Sequence, residues 1–182
     1  MTESTPAATG APETDPFVSH ISGLDPGAKA TLRRSLAFPA GSWPPAFPYV
    51  ERWVSAERRW DRTVYYLVAG LQCLSRATTA EGNMGRAVSA LRERTGSSSV
   101  EQRFIALLDA DHEQLPQRLR QMVTLLSSHD IAPDWARLRR DLLAWNSAER
   151  YVQQRWARSY YATSSDSRSD GDEPDSAGHG EN

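Results

Sequence analysis

His112 stands between Asp111 and Glu113, the one place in this 182-residue chain where a histidine has a carboxylate on either side. Acid–base chemistry could be built from such a cluster. Its place between two helical stretches, however, predicts a solvated loop. His20, His112, His129 and His179 show no i,i+4 pairing and no neighbouring cysteine, so no metal site is expected. Cys73 stands alone, which rules out an intrachain disulfide, and it reads as a small buried apolar residue. Ser97-Ser98-Ser99 lacks the Gly-x-Ser-x-Gly elbow and reads as helix capping. Lys29 is the only lysine, so there is no Gly-x-x-x-x-Gly-Lys phosphate loop. The chain is expected to have no catalytic residue, no metal and no cofactor.

Arginine is the chemistry that remains. Between Phe17 and Ala162 there are 20 bases, 19 of them arginine, against 14 acids. Residues Met1–Asp15 hold three acids and no base, and Thr163–Asn182 hold six acids against Arg168. An arginine fork pairs bidentately with phosphate and stacks on bases, which a lysine point charge cannot do. A basic core flanked by acidic tails therefore points to a polyanion, nucleic acid foremost. A GC-rich genome would account for arginine in place of lysine, but not for acids gathered in the tails.

The elements that position these arginines read as helices. Phe17, Ile21 and Leu24 form a short stripe ending at Asp25-Pro26-Gly27, where Asp25 can cap a second helix carrying Leu32 and Leu36 inward. Ala37–Pro48 contains four prolines and Gly41 and predicts an irregular connector, pinned to the core by Trp43 and Phe47. Apolar spacing then predicts helices over about Glu51–Arg76, over Met84–Arg94 with Gly96 closing it, after Ser97–Ser99, and from Leu115 to about His129. Pro133 opens the last and longest, running through Trp145 to Tyr160 with Glu149 interrupting its stripe. Trp53, Trp60, Trp135, Trp145 and Trp156 all fall on inner stripes and read as core. No stretch alternates as a strand would. The fold class is all-α, a single bundle-like domain of about seven helices over residues 16–162. Residues 1–15 and 163–182 read as disordered tails, poor in large apolar groups. No run approaches the ~20 apolar residues of a membrane span and no secretory signal opens the chain, so a cytoplasmic protein with no membrane partner is expected.

On these helices the cations face outward. With Leu142 inward at about 100° per residue, Arg140 lies about 160° away and Arg137 about 220° away, with Arg139 on the flank. Arg33 and Arg34 leave the Leu32/Leu36 face, Lys29 lies one turn earlier, and Arg58 and Arg62 oppose the Trp60/Val64/Leu67 stripe. Like charges one turn apart repel, and an anion laid across them removes the penalty. Such a surface tracks phosphate backbones without reading bases.

The order of short motifs carries a resemblance. Leu32-Arg33-Arg34 precedes a proline-rich connector ending at Phe47-Pro48-Tyr49. Gly85-Arg86-Ala87, Glu101-Gln102-Arg103-Phe104 with Leu107-Leu108, and Leu115 to Val123 follow. Asp134-Trp135, Leu142-Leu143, Trp145, Trp156-Ala157 and Tyr160-Tyr161 close the series. From about Phe17 to Ala162 the chain resembles the small subunit of the type I-E CRISPR Cascade complex, the CasB family. The resemblance implies a non-catalytic helical subunit, packed with other Cascade subunits and head to tail with a second copy of itself. It implies a basic face along crRNA, target DNA and the displaced strand that stabilises the R-loop, a near-balanced strand exchange. Arg33 and Arg34 carry over best, and Arg86 and Arg103 also fall on motif positions although they lie near apolar stripes. The rival readings are a helical adaptor whose arginines meet an acidic protein, and an unrelated helical DNA-binding regulator.

Overall fold

The computed structural model describes residues 15–55 and 58–166, with the backbone alone at 79 and 163–166. The readings made above for residues 1–14 and 167–182 lie outside the described residues. Those described form nine α-helices, two 3-10 turns and one pair of two-residue strands, an all-α, bundle-like fold. Their contacts gather into two compact units.

The first unit holds α1 (Pro16–Ser22), α2 (Pro26–Ser35), α3 (Phe47–Val50), α4 (Arg59–Leu74) and α8 (Trp135–Leu143). Asp15 caps α1, its Oδ1 accepting from the Phe17 and Val18 amides at 3.0 and 3.2 Å. Asp25 caps α2 in the same way, at 2.8 and 3.1 Å from Gly27 and Ala28, as the Asp-Pro-Gly signal predicts. Both helices have proline in the first turn, where its missing N–H is not needed. Around α4 pack α1, α2 and α8. Neighbours on three sides explain why Val64 and Tyr66 through Leu71 are all buried, well beyond a single stripe. The Trp60 indole donates to the Leu142 carbonyl at 2.8 Å and ties α4 to α8.

The second unit holds β1 (Thr79–Ala80), α5 (Met84–Thr95), α6 (Ser98–Asp109), α7 (Leu115–Ser128), β2 (Ile131–Ala132) and α9 (Tyr151–Asp166). Gly96 closes α5 at φ 62°, a left-handed cap that glycine adopts without Cβ strain. Its core is aromatic: Trp145 and Trp156 pack at 5.1 Å, Phe104 and Tyr160 at 4.7 Å. Polar bonds bind α5 to α9, from the Asn83 amide to Ser159 Oγ at 2.8 Å and from Ser89 Oγ to the Tyr160 carbonyl at 3.3 Å. The strands pair in parallel, Thr79 with Ile131 and Ala80 with Ala132, too short to leave an alternating pattern in sequence.

Several expected boundaries differ. The helix expected over Glu51–Arg76 starts at Arg59, because Glu51–Trp53 is a separate 3-10 turn and Val54 is extended. The long terminal helix is two helices. The chain leaves helix after Leu143, Arg150 takes φ 50°, and Gln153 donates across the break to the Trp145 carbonyl at 3.0 Å. Side-chain periodicity ran through this break because Trp145 and Val152 are both buried, although in different local geometry. Pro133 precedes α8 rather than opening it. Ser97 occupies the cap position of α6, but its hydroxyl pairs with Ser99 at 2.9 Å instead of an amide. Asp15, read as the last residue of the N-terminal tail, belongs to the fold, and α9 continues through Asp166 where a tail was expected from Thr163. Trp145 and Trp156 are buried as read, whereas Trp53, Trp60 and Trp135 are half-buried.

Candidate nucleic-acid interface

On α2 the inward positions Ala28, Leu32 and Ser35 leave Arg33 and Arg34 exposed in the last turn. Cations there also suit the negative end of the helix dipole. Lys29 is half-buried and donates from Nζ to the Ser22 carbonyl at 2.7 Å, so part of its work is to close the end of α1. On α8, Leu138 and Leu142 face inward, Arg140 is exposed and Arg137 is half-buried. Arg139 is not a flanking surface cation. Its Nε and Nη2 donate to Asp15 Oδ2 at 3.0 and 2.5 Å, and Nη1 donates to the Tyr65 hydroxyl at 2.9 Å. Arg58 is exposed just before α4.

Arg62 lies elsewhere than on the open face expected for it. Its Nη1 donates to Glu51 Oε2 at 2.8 Å, its Nη2 reaches the Gly41 carbonyl at 3.1 Å, and its guanidinium rests over the Phe47 and Tyr66 rings. The wheel placed Arg62 opposite the Trp60/Val64/Leu67 stripe but could not show that the connector folds back over that side. Tyr66 also donates to Glu51, so one carboxylate gathers both groups. Burial by itself would raise the Glu51 carboxyl, but the hydrogen bonds from Arg62 and Tyr66 outweigh it and hold the pKa below its ordinary value. A depressed carboxylate stabilises the fold above its unfolded pKa, and that stability goes as pH falls through the folded one. The melting temperature should therefore drop below about pH 4.5. Glu51→Gln should remove this part of the drop in thermal melts taken from roughly pH 6 to 3. A variant curve parallel to the wild type throughout would show that the clamp contributes nothing.

In the second unit, Arg86 is exposed in the first turn of α5 and Arg103 is exposed on α6. Arg103 lines a groove of about 810 Å³ whose other wall is α7, with Arg118, Arg120, Gln117, Gln121 and Thr124 along it. Among the described residues no carboxylate lines it. Arg118 and Arg120 were not singled out from sequence. The signal was there, since each lies about 100° from the inward Leu119, one on either flank of α7. Three guanidiniums among amide and hydroxyl side chains carry the kind of donors that phosphate oxygens accept from.

The other chemistry weighed from sequence does not assemble. Asp111 spends its Oδ1 on the Glu113 and Gln114 amides at 3.0 and 2.8 Å, closing the turn that leads into α7, and His112 is exposed. Cys73 is half-buried rather than fully buried, and burial raises its thiol to about 11, which leaves little thiolate at neutral pH. Among the described residues no group of three potential ligands could hold a metal ion, and no helix is long and apolar enough to cross a membrane.

The family model of CRISPR-associated protein Cse2 matches residues 28–161. The CRISPR-associated protein Cse2 of Thermus thermophilus is 49% identical over 138 residues, covering 74% of this chain and 78% of that one. The crystal structure of M. ruber CasB superposes with a TM-score of 0.75 at 40% identity, covering 85% and 96% of the two chains. A chain of a CRISPR RNA-guided surveillance complex superposes with a TM-score of 0.72 at 22% identity, covering 84% and 98%. At that identity the likeness establishes a shared fold.

Proposed function

The chain belongs to the CRISPR-associated Cse2 family, and from that premise we propose that it is a non-catalytic, cytoplasmic subunit of a crRNA-guided surveillance complex. Its arginines lie along the phosphate backbones of crRNA, target DNA and the displaced strand. It packs against other subunits of the complex and head to tail against a second copy of itself. Strand exchange between a DNA duplex and an RNA–DNA heteroduplex is nearly balanced, so sequence-independent backbone contacts are enough to tip it. The observation that carries this reading is the groove between α6 and α7, with Arg103, Arg118 and Arg120 along it and no acid among its described lining residues. The exposed Arg33–Arg34 pair on α2 supports it, and Arg58, Arg86, Arg137 and Arg140 extend the same class of contact. Arg62 drops out of the set because Glu51 occupies it.

The test is a target-DNA titration at several salt concentrations with fully assembled complex. Arg103→Glu/Arg118→Glu and Arg33→Glu/Arg34→Glu should fold normally, since all four side chains are exposed. Each pair should flatten the plot of log affinity against log salt by roughly 1–2 units, one per lost phosphate contact. The loss should be the same for every target sequence. Wild-type affinity and slope in both mutant complexes would end this reading. Failure of a mutant to assemble would move that pair to a protein interface.

A further inference from the structure

Two rings in the connector after α2 take an arrangement that core packing does not require. Phe38 and Trp43 lie parallel, 7° between planes and 5.3 Å between centroids, and Phe38 is 45% exposed. Phe47, in the same connector, instead turns its edge to Tyr66 and packs inward. The loop that presents the pair is firmly built. Gly41, at φ 76°, turns the chain back on itself, and Ser42 closes the turn with its amide and hydroxyl on the Pro39 carbonyl at 3.0 and 2.7 Å. Arg62 anchors the Gly41 carbonyl from α4. Trp43 thus backs the Phe38 ring, which keeps nearly half of its surface exposed.

The stretch of chain that carries this ring is basic, and the Glu51 carboxylate near its loop is taken by Arg62. Residues 26–50 contain Lys29, Arg33 and Arg34 and no acid. The Ala37 and Phe38 amides donate to the Arg34 and Ser35 carbonyls at 3.1 and 3.0 Å, so the turn of α2 continues past its end. Phe38 therefore lies four residues after Arg34, just past the tight turn that ends α2 and close in the chain to the exposed Arg33 and Arg34. Exposed guanidiniums one step from a preformed aromatic face are what an unpaired nucleotide engages, its phosphate on the cation and its base on the ring. In a duplex the bases already stack on one another and offer no face, so the partner is single-stranded.

We propose that Phe38, backed by Trp43, is a stacking platform for one unpaired base of a single strand whose phosphates lie along Arg33 and Arg34. This rests on the nucleic-acid reading above and adds which form of nucleic acid this face takes. The test titrates the full-length chain with a single-stranded DNA oligonucleotide carrying 2-aminopurine and with the matching duplex. Phe38→Ala should weaken single-strand binding about 5- to 100-fold and abolish the stacking-dependent fluorescence change, leaving duplex binding unaltered. Phe38→Tyr should bind as wild type and Phe38→Leu like the alanine variant, because leucine keeps the apolar area and loses the π face. Leucine binding as wild type would overturn the platform. So would equal losses for single strand and duplex, or a Phe38→Ala chain that binds single strands normally but no longer joins its partner subunits. Wild-type single-strand binding indifferent to Phe38 removes the platform alone. A wild-type chain that binds neither form takes the nucleic-acid reading down with it.

Discussion

Gly85→Ala is expected to be the most damaging methyl addition at any glycine among the described residues. A Cβ at Gly85 would lie 2.0 Å from the Trp156 carbonyl oxygen, 2.7 Å from its carbon and 3.0 Å from its Cα. All three are backbone atoms of α9, so no rotamer change relieves the clash. Helices α5 and α9 would have to separate, opening a core in which Met84, Val88, Trp156 and Tyr160 are fully buried. Over-packing against a yielding side chain costs about 1–3 kcal/mol. Against backbone the cost should reach or exceed the top of that range, a fall in melting temperature of roughly 10 °C for a chain of this size. Gly96→Ala is the control. Nothing lies within 4 Å of its Cβ, so only the left-handed φ is penalised, at about 1 kcal/mol. Equal melting temperatures for the two variants would show that α5 and α9 do not meet as described.

Arg139→Met should be comparably severe. Asp15 is buried, and the Arg139 fork supplies two of its hydrogen bonds while also resting over the Tyr65 ring at 5.2 Å. Removing the arginine leaves a carboxylate without a counter-ion in the first unit, a loss of about 3–5 kcal/mol. Asp15→Asn/Arg139→Met should be milder than Arg139→Met alone, because asparagine still caps α1 and no charge is left buried. The same pair sets where the N-terminus can be cut. A chain beginning at Asp15 should melt with the full-length protein, whereas one beginning at Pro16 loses both the cap and the ion pair. Matching melting temperatures for these two truncations would contradict the buried pair.

Sequence by itself determined the helical class and the places where helices start and stop by local chemistry. Asp25-Pro26, the glycine at 96 and the stripe from Leu115 to Leu126 act within a turn or two, so their consequences are written beside them. It also determined the charge partition and the order of motifs that revealed the family. Tertiary structure alone decided which arginines remain available. Arg33, Arg62 and Arg140 face outward on a helical wheel and Arg139 lies on a flank, but Glu51 folds back over Arg62 and Asp15 reaches Arg139 from 124 residues away. Partners so distant leave no periodicity to read. For the same reason the wheel passed through the break between α8 and α9, since burial of Trp145 and Val152 preserves the apolar spacing while the backbone turns. The groove of Arg103, Arg118 and Arg120 likewise exists only because α6 and α7 pack together, which places three ordinary surface cations along one cleft.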